Sequence, residues 1–297
     1  MQKRKIRVST IFLHFFLILV TLCFLIPMVM VISISLSSEA WVNSGGYSLI
    51  PHEFSLSAYK LAFGNPRQIL SAYGVTISES VLGTVLSMMV AGMVAYPLSR
   101  SNFRFKTPIM GFIFFTMLFS AGMIPSYITL TKYYHLGNSF WIYIIPGMTG
   151  GAWNTLVFRT FFKGLPESLF EAARIDGAKE LYIFFRIVLP LSTPVFATLG
   201  FRTLVERWND YTTSMIYIRD ESLYTLQYLL QRILNEADYL SKMAQEGNVV
   251  IDIGNQKMPA ETLKYALCVI AAGPMLLVFP FFQKYFSQGL TIGAVKG

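Results

Sequence analysis

The sequence predicts an all-α, polytopic membrane protein: six transmembrane helices with a short helix held outside the bilayer between spans four and five. Three observations predict it. Of 297 residues, 54% are hydrophobic and only 13% charged, against roughly 25% charged in a soluble chain, so lipid is the expected solvent. Six stretches approach the roughly 20 apolar residues that a hydrocarbon core about 30 Å thick requires. The basic residues gather in alternate connecting segments, as they do where a chain crosses a membrane repeatedly.

The spans fall near 10–35, 75–98, 108–131, 139–162, 187–207 and 262–286. The first follows Lys3, Arg4, Lys5 and Arg7, as a signal peptide would. Its apolar run from Phe15 to Ile32 is too long for a signal core and no small-residue cleavage site closes it, so an uncleaved helix is expected. Pro27, Pro97, Pro125, Pro146, Pro194, Pro274 and Pro280 lie in or beside spans. Such residues are tolerated where neighbours satisfy the freed carbonyls, and they shape packing more often than they act as hinges. Gly147, Gly150 and Gly151 beside Pro146 are the best hinge candidates, in span four.

Orientation follows from charge. Four basic residues precede span one, the 99–107 loop holds Arg100, Arg104 and Lys106, and the 159–186 loop holds Arg159, Lys163, Arg174, Lys179 and Arg186. These segments are expected inside. The 36–74 and 208–261 segments are acidic or mixed, the latter carrying Asp210, Asp220, Glu221, Glu236, Asp238, Glu246, Asp252 and Glu261, and are expected outside. Both termini are then cytoplasmic. The net charge of +8 is accounted for by anchoring to anionic membrane lipid, with no nucleic-acid partner required.

Several function classes are disfavoured. Cys23 and Cys268 sit in apolar runs and read as small hydrophobes, while His14, His52 and His135 are scattered singly, so neither a disulfide nor a metal site is suggested. An enzyme would present paired acids, histidines or a nucleophile near one face. Glu167, Glu171 and Asp176 are such acids, but no histidine accompanies them. The chain has no Gly-x-x-x-x-Gly-Lys-Ser/Thr phosphate loop, so any ATP-derived energy must arrive through a partner.

The polar segment 166–190 carries the most information, because a turn between spans needs only a few residues. Pro166 suits the first turn of a helix, Glu167 complements its positive end, and Gly177 can terminate it in a left-handed conformation. A second short helix runs from about Ala178 toward Pro190. Leu169, Ala172 and Ala173 share one face, where adjacent alanines let a partner backbone come close. A solvated amphipathic connector is the simpler alternative.

Glu171-Ala172-Ala173, Gly177, Ile187, Leu189 and Pro190 resemble the EAA-loop signature of permease subunits in binding-protein-dependent ABC importers. Leu165-Pro166, Ile175-Asp176-Gly177-Ala178 and Leu191 are similar to its carbohydrate branch, the maltose-permease type, and the similarity extends over nearly the whole chain. The resemblance implies that 166–190 is a coupling helix in its loop, with Glu171, Ala172, Ala173, Asp176, Gly177, Leu189 and Pro190 seated in a cleft of a cytoplasmic ATPase subunit. The ending Gly293-Ala294-Val295-Lys296-Gly297 is similar to the branch's tail, 287–297, which reaches between the ATPase subunits; a frayed end is the alternative. Trp208-Asn209 and Leu223–Gln227 resemble its extracytoplasmic segment. The polar stretch 232–259 within the 208–261 loop departs from the maltose pattern and looks like an insertion found in permeases for larger or acidic oligosaccharides.

The implied protein is a single transmembrane domain, 1–297, in a bacterial cytoplasmic membrane. Its implied partners are a second homologous permease, two ATPase subunits that hold ATP and magnesium, an extracellular solute-binding protein, and an oligosaccharide. No cofactor and no catalysis are expected of this chain itself. Glu79, Asn154, Arg202 and Glu206 lie in or at the ends of spans, where an unpaired charge costs at least about 2.5–3.5 kcal/mol. With Tyr127, Trp153, Trp208 and Asn209 they are candidates for a sugar pathway, since sugars combine hydroxyl rims with faces that stack on aromatics. Helix-packing glue or interface anchoring is the competing account, and an intrahelical pair is the simpler one for Arg202 and Glu206. Import of a peptide or lipid precursor, a channel or secondary transporter, and a membrane enzyme remain the alternatives.

Overall fold

The computed structural model describes residues 8–245 and 260–294. Lys3, Arg4, Lys5 and Arg7, residues 246–259 of the expected insertion, and Val295, Lys296 and Gly297 lie outside the described residues. Among the described residues the secondary structure is entirely helical. Three helices are long and apolar enough to cross a membrane, and up to five spans result if each of two bent pairs is counted as one. The chain forms two compact units, residues 1–66 with 230–274 and residues 67–229 with 275–297.

In the first unit, α1 (Val8–Ser35) is apolar on every side and leaves Phe12, Phe24 and their neighbours exposed, as a helix whose solvent is hydrocarbon does. The short helices α2 (Glu39–Gly45) and α3 (Ser57–Ala62) follow. Ser38 Oγ accepts the Trp41 N–H at 3.2 Å and starts α2. Trp41 stacks on His52 with ring centroids 4.2 Å apart.

In the second unit, α4 (Pro66–Ser99) is the longest element and supplies one wall of the core. Next come α5 (Lys106–Leu118) and α6 (Met123–Ile128), which with a wide π turn at Thr129–Tyr133 form a pair bent by 113°. A 3-10 turn at Phe140–Ile142 leads through further turns to α7 (Gly151–Lys163). The stretch expected as span four, 139–162, is therefore not one helix. Its first half is turns because Pro146 lacks a backbone donor and Gly150 and Gly151 adopt φ of +72° and +73°, conformations that end helices. A hydropathy window averages over such breaks.

The polar segment forms α8 (Glu167–Ile175) and α9 (Glu180–Ile183), then a π turn at Phe184–Val188 and the single turn α10 (Leu189–Leu191). The last of these meets α11 (Thr193–Trp208) at 81°. The short α12 (Thr212–Tyr217) follows. The core of this unit joins Ala91, Ala95 and Tyr96 of α4 to Phe158 and Phe162 of α7, Phe170 of α8, Ile183, Phe184, and Leu199 of α11. Small residues on α4 admit large rings from its neighbours, the packing expected where helices meet in lipid.

The first unit is completed by most of α13 (Leu226–Gln245) and the first part of α14 (Ala260–Ala294). The Glu39 carboxylate accepts the N–H groups of Glu261 and Thr262 at 3.0 and 2.8 Å and the Thr262 hydroxyl at 2.8 Å. An anion on the free donors of a helix start is favourable both as a cap and against the helix dipole. The later half of α14 belongs to the second unit, where Phe279 and Phe282 meet Phe201 of α11. Gly293 and Ala294 of the expected tail are the last residues of α14.

Candidate functional site

The loop helix α8 has one face packed on its own chain and one left exposed among the described residues. Pro166 stands immediately before it as N-cap, with Glu167 in the first turn and Arg174 in the last, the charge order that complements the dipole. It ends in a Schellman motif: the Gly177 N–H donates to Arg174 O at 3.0 Å and the Ala178 N–H to Ala173 O at 2.9 Å, with Gly177 at φ +78°. This is the left-handed stop anticipated from the sequence. Half-buried Ala173 and Ala178, at the two ends of that motif, both pack on the core.

Phe170 is fully buried. Its ring lies 6.2 Å from that of Tyr96 and 4.1 Å beneath the Arg100 guanidinium. Arg100 also donates to Glu167 Oε2 at 2.8 Å, to Ser99 Oγ at 3.0 Å and to the Phe162 carbonyl. Arg174 donates to Glu180 Oε1 at 3.0 Å and stands 3.6 Å from Glu167. That hydrogen bond to Glu180 raises the Arg174 pKa above its ordinary, already high, value. Tyr96 Oη donates to the other Glu180 oxygen at 2.6 Å. Glu171, Ala172, Asp176 and Gly177 are exposed, and Ile175 is 86% exposed. An exposed isoleucine beside a carboxylate and an alanine makes an outward face that no described residue covers. Leu189 is half-buried and Pro190 exposed.

A cavity of about 500 Å³ lies among α4, the turns before α7, and the end of α11. Asn154, Glu206 and Asn209, candidates from the sequence, line it together, and Ser87, Arg207 and Asp210 join them. Asn154 is buried; its Nδ2 donates to Gly150 O at 2.8 Å and to Thr203 Oγ1 at 3.4 Å, while its Oδ1 has no partner. Arg202 and Glu206 form the i, i+4 ion pair at 2.6 Å. Glu79 lies behind the cavity wall, 2% exposed, with Arg207 Nη1 at 3.4 Å. Tyr127 stacks on Tyr217 with centroids 5.6 Å apart, Trp153 is exposed, and Trp208 is buried beside Tyr73; none of the three joins the cavity lining.

The residues missed from sequence are Tyr96, Arg100, Phe170 and Arg207. Arg100 read only as one of the basic residues after span two, and Arg207 carried no signal at all. Phe170 had a signal, since it shares the inner face of α8 with Ala173 three residues on.

Helices of this length and hydrophobicity, with a buried ion pair and a polar cavity among them, define an integral membrane protein that spans the bilayer more than once. Residues 83–292 match the family described as the binding-protein-dependent transport system inner membrane component, and the chain belongs to that family. It is 36% identical to the polygalacturonan/rhamnogalacturonan transport system permease protein YtcP of Bacillus subtilis (strain 168), over 99% of this chain and 100% of that one. It is 27% identical to the arabinooligosaccharides transport system permease protein AraQ of the same organism, over 98% and 97%. A crystal structure of a bacterial ABC transporter involved in the import of the acidic polysaccharide alginate contains a chain that superposes with a TM-score of 0.74. Identity there is 29%, over 96% of this chain and 99% of that one.

Proposed function

We propose that this chain is one permease half of an ATP-driven importer that carries an oligosaccharide across a bacterial cytoplasmic membrane. The observation that carries the reading is α8: anchored inward by Phe170, ended sharply at Gly177, and presenting Glu171, Ala172 and Ile175 outward. In this reading α8 docks on an ATPase subunit, which alone holds ATP and magnesium. Asp176, Gly177 and Pro190, also exposed, extend the docking surface, and half-buried Ala173 and Leu189 complete the coupling set beneath it. A second permease completes the pore, and an extracellular solute-binding protein delivers the sugar. The chain crosses six times with both termini inside, its broken fourth span counted as one crossing. The tail 287–297 reaches the ATPases, and the 208–261 segment with its insertion lies outside. Sugar permeases among the relatives and an alginate importer among the solved structures support the oligosaccharide class.

The cavity is then this subunit's part of the sugar path. It mixes acceptors at Asn154, Glu206 and Asp210 with glycine backbone and apolar surface, as a site for a hydroxylated ligand does. Closure of the ATPases moves α8, and the bent helices around the cavity shift between an inward and an outward opening. The test is reconstitution of the permease pair with its ATPase in proteoliposomes, titrated with binding protein loaded with candidate oligosaccharides. Ligand-stimulated hydrolysis and uptake are expected, with Glu171→Lys and Gly177→Asp uncoupling the two in an inserted complex. Normal coupled uptake in both variants would sink the assignment.

A further inference from the structure

We propose that Arg100 is the positioning residue through which movement of α8 reaches α4 and, along α4, the cavity wall. The inference rests on the docking role of α8 and adds the route by which that docking acts. The chain connects α8 covalently to α7 and α9, so the segments flanking the loop are the obvious recipients of its motion. The inward contacts of α8 add a third recipient. Phe170 lies against Tyr96 in the last turn of α4 and Arg100 immediately after it, and Glu167 is held by Arg100 at 2.8 Å.

Arg100 is 7% exposed, and it uses its whole guanidinium. Its face covers Phe170; its nitrogens reach Ser99 on its own side, Glu167 in the first turn of α8, and the Phe162 carbonyl near the end of α7. It therefore straddles the Gly164-Leu165-Pro166 connection and ties both of its ends to α4. A planar fork with a stacking face and several directed donors does this, and an ammonium does not. Tyr96, one turn earlier on α4, adds a second tie through Glu180. Ser87, which lines the cavity, lies 13 residues before Arg100, about 20 Å along the helix at 1.5 Å per residue. A separate cavity of about 420 Å³ borders Tyr96, Arg100 and Phe184, leaving room on that side for the network to shift as a unit.

The test uses the assembled transporter, with partner permease and ATPase, in proteoliposomes. A Ser87→Cys reporter is introduced after Cys23 and Cys268, both exposed, are replaced by serine. Labelling by a water-soluble maleimide is measured with and without magnesium-ATP. With Arg100 intact, ATP is expected to change the labelling rate about fivefold or more, the lower range for coupled sites. Arg100→Ala should remove that response while the ATPase still co-purifies and hydrolyses ATP, and Arg100→Lys should restore only part of it. A purified Arg100→Ala complex that responds as fully as the parent overturns the inference. Should that variant fail to insert, Glu167→Gln, which leaves the Phe162, Ser99 and Phe170 contacts in place, is expected to shrink the response about twofold; an unchanged response overturns the inference again. Glu171→Lys separates the two levels. If it leaves the response intact, the docking role of α8 fails; if it abolishes the response and Arg100→Ala does not, only the route through Arg100 fails.

Discussion

Arg207 Nη1 stands 3.4 Å from the Glu79 carboxylate and 2.9 Å from the Tyr143 carbonyl, a charge pair joining two helices whose residues are 128 positions apart in sequence. Glu79 is also hydrogen-bonded by Ser80 Oγ at 3.3 Å. Removing one member leaves the other charge without its counter-ion, and for Glu79, 2% exposed, the stranded charge sets the cost. Arg207→Leu or Glu79→Leu alone is expected to destabilise the protein by about 3–5 kcal/mol, and the double variant by much less than the sum. Thermal unfolding of the detergent-purified chain measures both; additive losses would show that the pair is not the source.

The guanidinium fits because Gly83 has no side chain. A Cβ built there meets Arg207 Nη1 at 2.3 Å and Cζ at 2.5 Å. Gly83→Ala should displace Arg207 from Glu79 at a cost of about 1–3 kcal/mol. The same change in an Arg207→Ala background should cost nearly nothing, and unfolding of the four variants in a cycle decides it.

Gly177 poses a purely conformational question, since nothing lies within 4 Å of a Cβ added there. Gly177→Ala forces a left-handed alanine and is expected to cost about 1 kcal/mol, with faster hydrogen exchange at the Gly177 and Ala178 amides. Full protection of those amides in the variant would mean that the turn does not depend on glycine.

Glu39 closes the first turn of α14 with three accepted hydrogen bonds. Glu39→Ala should cost about 1–2 kcal/mol and raise amide exchange at Glu261 and Thr262 ahead of the rest of the helix. Uniform exchange along α14 would refute a capping role.

Asn154 Oδ1 is a buried acceptor without a donor. Asn154→Leu should leave stability within about 1 kcal/mol, because the lost bonds to Gly150 and Thr203 are offset by removal of an unsatisfied group. Its effect belongs on transport: a higher KM for the saccharide in proteoliposome uptake. An unchanged KM would remove Asn154 from the sugar path.

What the sequence revealed were relations within a few residues. The stop at Gly177, the acidic start of α8 at Glu167, and the Arg202–Glu206 pair each follow from spacing along one helix. Span four did not, because hydropathy counts side chains and is blind to the backbone that Pro146, Gly150 and Gly151 bend. Arg100 with Glu167 and Arg207 with Glu79 join positions 67 and 128 apart. No period or motif links such residues, so the partners of both arginines emerge only once the helices are packed.

The two faces of α8 divide its defects by which gene can mend them. A change at Phe170 spoils the subunit's own packing, and remedies for it must come from within the same chain. On the proposed docking role, a change at Glu171, Ala172 or Ile175 leaves the subunit's interior untouched and shows only in the assembled transporter. Its suppressors should then be allele-specific and should arise in the gene for the ATPase.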